Sequence, residues 1–239
     1  MDISAPIEAI ANCPWSAYTP DPFPVCEEHL CALIVQPCNT WTNVSYLIVS
    51  LIIWNSKNLG PKRYAIGLSI FLVAICSTLF HLTATLIGKQ LDIGAMMTFS
   101  SLCLTYTVMK IWPMTKNRAI ALYGLLVLSG WAMMGDGRLG IGVFMLHVLI
   151  TFVLEFKNAK KNGVSDQQKK LLSWALGLFL FALLLNALDL KKILCIPSNH
   201  IMTGHGVWHL VCGVVIWLVA RYYCFWDDPE KQPPKKNET

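Results

Sequence analysis

The sequence predicts an all-α integral membrane protein: a bundle of seven transmembrane helices, N-terminus outside and C-terminus cytosolic. Three observations predict it: a shortage of charge, the length of the stretches that carry none, and the side on which the basic residues fall. Of 239 residues, 55% are apolar or aromatic and only 14% are charged, and mean hydropathy is +0.51. Soluble domains carry roughly a quarter charged residues. The composition therefore excludes a disordered chain, an ordinary cytosolic enzyme and a nucleic-acid binder. Net charge is a modest +5, so the placement of the charges is more informative than their sum.

Marking every Asp, Glu, Lys and Arg leaves seven long charge-free stretches: His29–Ser56, Tyr64–Gly88, Ile93–Met109, Ala119–Gly135, Leu139–Leu154, Leu171–Leu188 and Ile193–Ala220. A helix needs about 20 apolar residues to cross ~30 Å of hydrocarbon. The shorter stretches approach that length with flanking residues such as Lys110, Trp112, Asn117 and Phe156, Lys110 snorkelling to the interface. No ten-residue alternation of the transmembrane-strand kind is visible.

Orientation follows from the basic residues in successive connections. One side holds Lys89, Arg138, Lys191 and Lys192. The other holds Lys57, Lys62, Arg63, Lys110, Lys116, Arg118, Lys157, Lys160, Lys161, Lys169, Lys170, Arg221, Lys231, Lys235 and Lys236. The fifteen-to-four excess places the second side in the cytosol. Residues 1–20 lack a basic start and an apolar core, so the first helix is expected to act as an uncleaved insertion signal. The chain divides into an outside N-terminal segment (1–38), a seven-helix domain (39–226) and a charged, proline-bearing cytosolic tail (227–239) expected to be disordered. No internal repeat of the transporter kind is evident.

Cys13, Cys26, Cys31, Cys38 and Cys195 all fall on the outside, where an oxidising medium permits one or two disulfides of open connectivity. Cys76, Cys103, Cys212 and Cys224 read as small apolar packing residues.

Ionisable groups within a bilayer are costly, and each is a functional hypothesis. Ser77 and His81 lie four apart on the second helix, as do His205 and His209 on the seventh, so each pair shares one helix face. Asp92 opens the third helix. On the expected topology His81 lies ~10 Å below the outer end of its helix, at Gly88, and the seventh helix starts near Pro197, two to three turns before its histidines. All of these groups then share the outer half of the membrane.

Two histidines on one face and a third from another helix make a three-His set that leaves a fourth zinc position open for water. Such a zinc lowers the pKa of its water to about 7 and polarises a carbonyl. Asp92 is placed to hydrogen-bond that water and Ser77 to hold a developing oxyanion. Each group also has a bland reading: a helix-packing or haem-ligating pair for His205 and His209, a back-bonded helix serine for Ser77, a helix cap for Asp92. His147 has no partner at matching spacing and reads as structural, while His29 and His200 read as surface residues.

Ser77-x₃-His81, Asp92 and His205-x₃-His209 resemble the signature of the CREST superfamily of seven-helix membrane hydrolases. Cys26-Glu-Glu28 followed by Asn39-Thr-Trp-Thr-Asn43 is similar to the alkaline ceramidases in particular. The resemblance spans about residues 26 to 222. It implies zinc held by His81, His205 and His209, Asp92 activating the zinc water, Ser77 assisting at the substrate carbonyl, and cleavage of ceramide to a sphingoid base and a fatty acid. It also implies a membrane lipid as substrate; the topology places the active site in the non-cytosolic leaflet, the composition speaks against a nucleic-acid partner, and no protein partner is implied.

The resemblance departs at the N-terminal calcium group of that family. Pro24 and Val25 precede Cys26, His29 stands at an Asn place, Gln36 at that of a later Glu, and only Glu27 is left as a charged oxygen ligand. Calcium wants about six to eight oxygens, so calcium at Glu27 is not expected. Competing functions are a zinc lipid esterase or phospholipid-remodelling hydrolase of the same superfamily, a seven-helix lipid receptor, and a membrane cytochrome using the same histidines.

Overall fold

A computed structural model describes residues 13–133, 137–162 and 164–225; the tail from residue 227 and residues 1–12 lie outside the described residues. Each charge-free stretch contains α-helix. The first holds a short α1 (Pro37–Trp41) and α2 (Val44–Asn55), followed by a 3₁₀ turn at Lys57–Leu59. Then come α3 (Lys62–Thr83), α4 (Leu86–Ile111), α5 (Lys116–Ala132), α6 (Gly137–Asn162), α7 (Asp166–Leu190) and α8 (Gly204–Phe225). Among the described residues the one extended pairing is an isolated bridge between Pro20 and Thr85.

Five helices, α3, α4, α6, α7 and α8, are long and apolar enough to cross a membrane. The other two stretches differ for local reasons: α5 has 17 residues, and the first stretch breaks at Thr42 and Asn43 into helices of 5 and 12. The outer faces are apolar, with Leu125 and Leu128 each 67% exposed, a surface that suits lipid rather than water.

Helix ends follow their caps. Thr85, Thr115 and Ser165 accept hydrogen bonds from Gly88, Arg118 and Gln168 backbone N–H groups, and Gln168 returns the bond to complete a capping box at α7. The caps correct three expected boundaries. Helix α3 stops at Thr83, because Ala84 adopts a left-handed conformation (φ 48°) and Thr85 caps a new helix. His81 therefore lies in the last turn of α3, and Asp92 lies inside α4 rather than opening it. Helix α8 starts at Gly204, not near Pro197, which puts His205 in its first turn.

The tightest packing joins α7 to α8, with α3 against α4 and α2 against α3 next. Gly206 and Gly213 permit α8 to approach the first stretch closely: a Cβ at 206 would lie 2.6 Å from Cys38 Sγ, and one at 213 would lie 2.9 Å from Ser45 Cβ. By contrast α6 and α7 barely touch. An apolar cavity lies within the bundle, walled chiefly by α4, α6, α7 and α8.

The N-terminal segment is stitched across the α3–α4 turn. Leu86, Asp21, Val35 and Gln36 N–H groups donate to Thr19, Ala84, Leu82 and His81 carbonyls respectively. Disulfides Cys13–Cys31 and Cys26–Cys195 tie it to itself and to the α7–α8 loop, while Cys38 stays free.

Candidate metal centre

His81, His205 and His209 meet at one end of the cavity, each buried, with one ligating atom apiece lying within 4.8 Å of the others. The ring centroids stand 4.7 to 5.0 Å apart. Helix periodicity puts His205 and His209 on one face, and the close α8 contacts turn that face toward the end of α3.

Each Nδ1 is held by an oxygen. Gln36 Oε1 lies 2.6 Å from His81 Nδ1, and Asn186 Oδ1 lies 2.7 Å from His205 Nδ1. Thr42 Oγ1 lies 2.9 Å from His209 Nδ1 and gives its own proton to the Cys38 carbonyl. All three Nδ1 atoms are thereby donors, and each Nε2 is left with a lone pair. The Nε2 atoms of His81 and His205 face each other at 3.3 Å, a separation at which both could bind one cation. This donor set, three neutral imidazoles with oriented rings, fits a metal ion.

The sequence reading missed these orienting residues. Asp189 supports the site as well: its carboxylate accepts from the backbone N–H of Cys26 at 2.8 Å and of His205 at 3.0 Å, pinning the start of α8. Asp189 bounds a charge-free stretch, the one signal that could have drawn attention to it. His29 is not merely a surface residue: its Nε2 lies 2.6 Å from Gln36 Nε2, which makes a chain from His29 through Gln36 to His81.

Asp92 and Ser77 line the same cavity as His205 and His209. Ser77 is within hydrogen-bonding reach of the Asp92 carboxyl, while Asp92 Oδ1 is buried with no hydrogen-bond partner. His147 stands apart, with Ser101 Oγ 3.5 Å from its Nδ1. At the mouth, Phe23 packs edge-on to His205 and Phe80, and Lys89 pairs with Asp21 at 2.9 Å.

Glu27 is engaged by the chain itself. Its two oxygens accept from the Cys38 and Asn39 N–H groups at 2.8 and 2.9 Å, and His200 Nδ1 lies 3.0 Å from the first. The carboxylate thus closes the N-terminus of α1 and pairs with His200, a residue also expected at the surface without a role.

Fold and site together define a helical protein of membrane character with a buried three-histidine group able to hold a metal ion. The chain belongs to the Ceramidase family, whose model matches residues 24–238. No curated protein matches the chain.

Proposed function

We propose that the protein is a zinc-dependent amide hydrolase that cleaves ceramide into a sphingoid base and a fatty acid within the membrane. Membership of the Ceramidase family supports the substrate and the bond. One observation carries the metal: three Nε2 lone pairs converge while every Nδ1 is tied to an oxygen. Zinc held by His81, His205 and His209 would supply Lewis acidity and an acidified water.

The chain's own groups do the rest. Asp92 Oδ1, buried and unpartnered, accepts the proton of the attacking water and returns it to the departing amine nitrogen. The water oxygen bonds to the carbonyl carbon, the carbon–nitrogen bond breaks, and no co-reactant is needed. Ser77 orients the Asp92 carboxyl, a role its position beside that group favours over direct contact with the oxyanion. The apolar cavity keeps a tail out of water while the amide reaches the histidines.

The same reading takes all seven helical stretches as spans, with the histidine end in the non-cytosolic leaflet. The fifteen-to-four distribution of basic residues supports that orientation, and both disulfides lie at the same end as the histidines. Product analysis by mass spectrometry tests the function. A panel of ceramides and phospholipids incubated with purified protein should yield free fatty acid and sphingoid base from ceramide. Release of fatty acid only from ester lipids would overturn the proposal.

A further inference from the structure

The end of the cavity opposite the histidines carries a second buried polar cluster, from α4, α6 and α8, which the chemistry above does not use. Glu155 is fully buried. Its carboxylate accepts from Lys110 Nζ at 2.9 Å, Thr107 Oγ1 at 2.8 Å and Tyr222 OH at 2.6 Å. Tyr223 OH lies 2.8 Å from Thr107 Oγ1. Lys110 Nζ lies 4.2 Å from the Tyr222 ring centre and 4.5 Å from that of Tyr223. Charges, hydroxyls and rings thus interlock three helices, and both tyrosines line the cavity.

We propose that this cluster is the floor of an acyl-chain channel and sets the longest fatty acyl group the enzyme accepts. The inference rests on ceramide as the substrate. The reacting carbonyl carbon is the first carbon of the acyl chain, so a carbonyl at the histidines leads that chain directly into the apolar cavity. The sphingoid base carries hydroxyls beside its amine, and these belong at the histidine end, where Lys89 and Asn186 line the cavity. His209 and Tyr223 lie on the same helix, fourteen residues apart, or ~21 Å at 1.5 Å per residue. One leaflet of a bilayer is about 15 Å of hydrocarbon. The channel therefore takes a full-length acyl chain and meets the floor only with a longer one. An apolar chain end has nothing to offer Glu155 or Lys110 in exchange for the bonds it would break, so the floor does not yield.

Two variants move the limit without touching the metal centre. Val219 lines the channel four residues before Tyr223, so Val219→Phe raises the floor by about one helical turn, ~6 Å. Phe152, which also lines it, lies three residues before Glu155, and Phe152→Ala frees space just above the floor for a longer chain to fold into. Turnover is measured across ceramides of graded acyl length on one base, then of graded base length on one acyl group, with metal content as the check on folding. Val219→Phe should lower kcat/KM at least tenfold for the longest acyl chains and spare the short ones. Phe152→Ala should shift the optimum to longer chains, and base-length profiles should not change. An unchanged acyl profile, a uniform loss at every length, or a shift only with base length overturns the proposal. Should Val219→Phe fail to hold metal, Phe152→Ala decides alone. Thermal stabilisation by free fatty acids of graded length reads the same channel without turnover. A wild-type protein inactive on every ceramide would refute the ceramidase reading, yet a fatty-acid length limit moved by either variant would still support the floor.

Discussion

At one end of the cavity Glu155 is met by Lys110, Thr107 and Tyr222; at the other, Asp92 keeps a buried oxygen with no partner and two imidazole nitrogens face each other across 3.3 Å. Both ends bury ionisable groups in an apolar bundle, which costs free energy at either place. One network is closed by the protein itself. The other is closed only on its outer side, where Gln36, Asn186 and Thr42 hold the rings, and its inner side is open. A completed buried network specifies packing; an incomplete one, held in place by a completed surround, is built to receive something.

Mutations at the two ends should therefore fail differently. The largest effect is expected from His81→Ala, which should remove the metal and abolish hydrolysis while the helical content in circular dichroism persists. Asp92→Asn should retain the metal yet lower kcat by roughly 10²- to 10⁴-fold, the range for loss of a general acid–base. Metal analysis beside steady-state kinetics checks both. Glu155→Ala should show the reverse pattern: it strands Lys110 in an apolar setting and should cost roughly 3–5 kcal/mol of stability. It would appear as a lowered melting temperature with metal still bound. If Glu155→Ala lost metal before it lost stability, the two ends would not be independent and the comparison would fail.

Smaller effects refine the open end. Gln36→Leu removes the acceptor for His81 Nδ1–H and should weaken metal affinity about 10- to 100-fold, measured by competition with a chelator. Calcium should leave the melting temperature unchanged, because the Glu27 oxygens are already engaged by Cys38 and Asn39 N–H groups and His200. A rise at low calcium concentration would show that this segment rearranges to bind it.

Much of this arrangement was legible in the sequence because it depends on patterns along one chain. Absence of charge marks helices regardless of what they pack against, and spacing of four puts His205 and His209 on one face. The residues that orient the rings were not legible: Gln36, Thr42, Asn186 and Asp189 are ordinary polar residues whose roles arise only when four distant segments meet. Helix ends are not legible either. Apolar runs continue through Ala84 and before Gly204, so only backbone conformation and capping separate α3 from α4 and delay the start of α8. The cysteine pairing likewise needed three dimensions, since Cys26 and Cys195 are 169 residues apart.

The most direct test of the central claim is ceramide hydrolysis by purified protein stripped of metal with a chelator and then titrated with zinc. Activity should vanish on stripping and return fully at about one zinc per chain, the stoichiometry of a single three-histidine site. Full activity in the metal-free protein, or no ceramide cleavage by the fully loaded one, would contradict it.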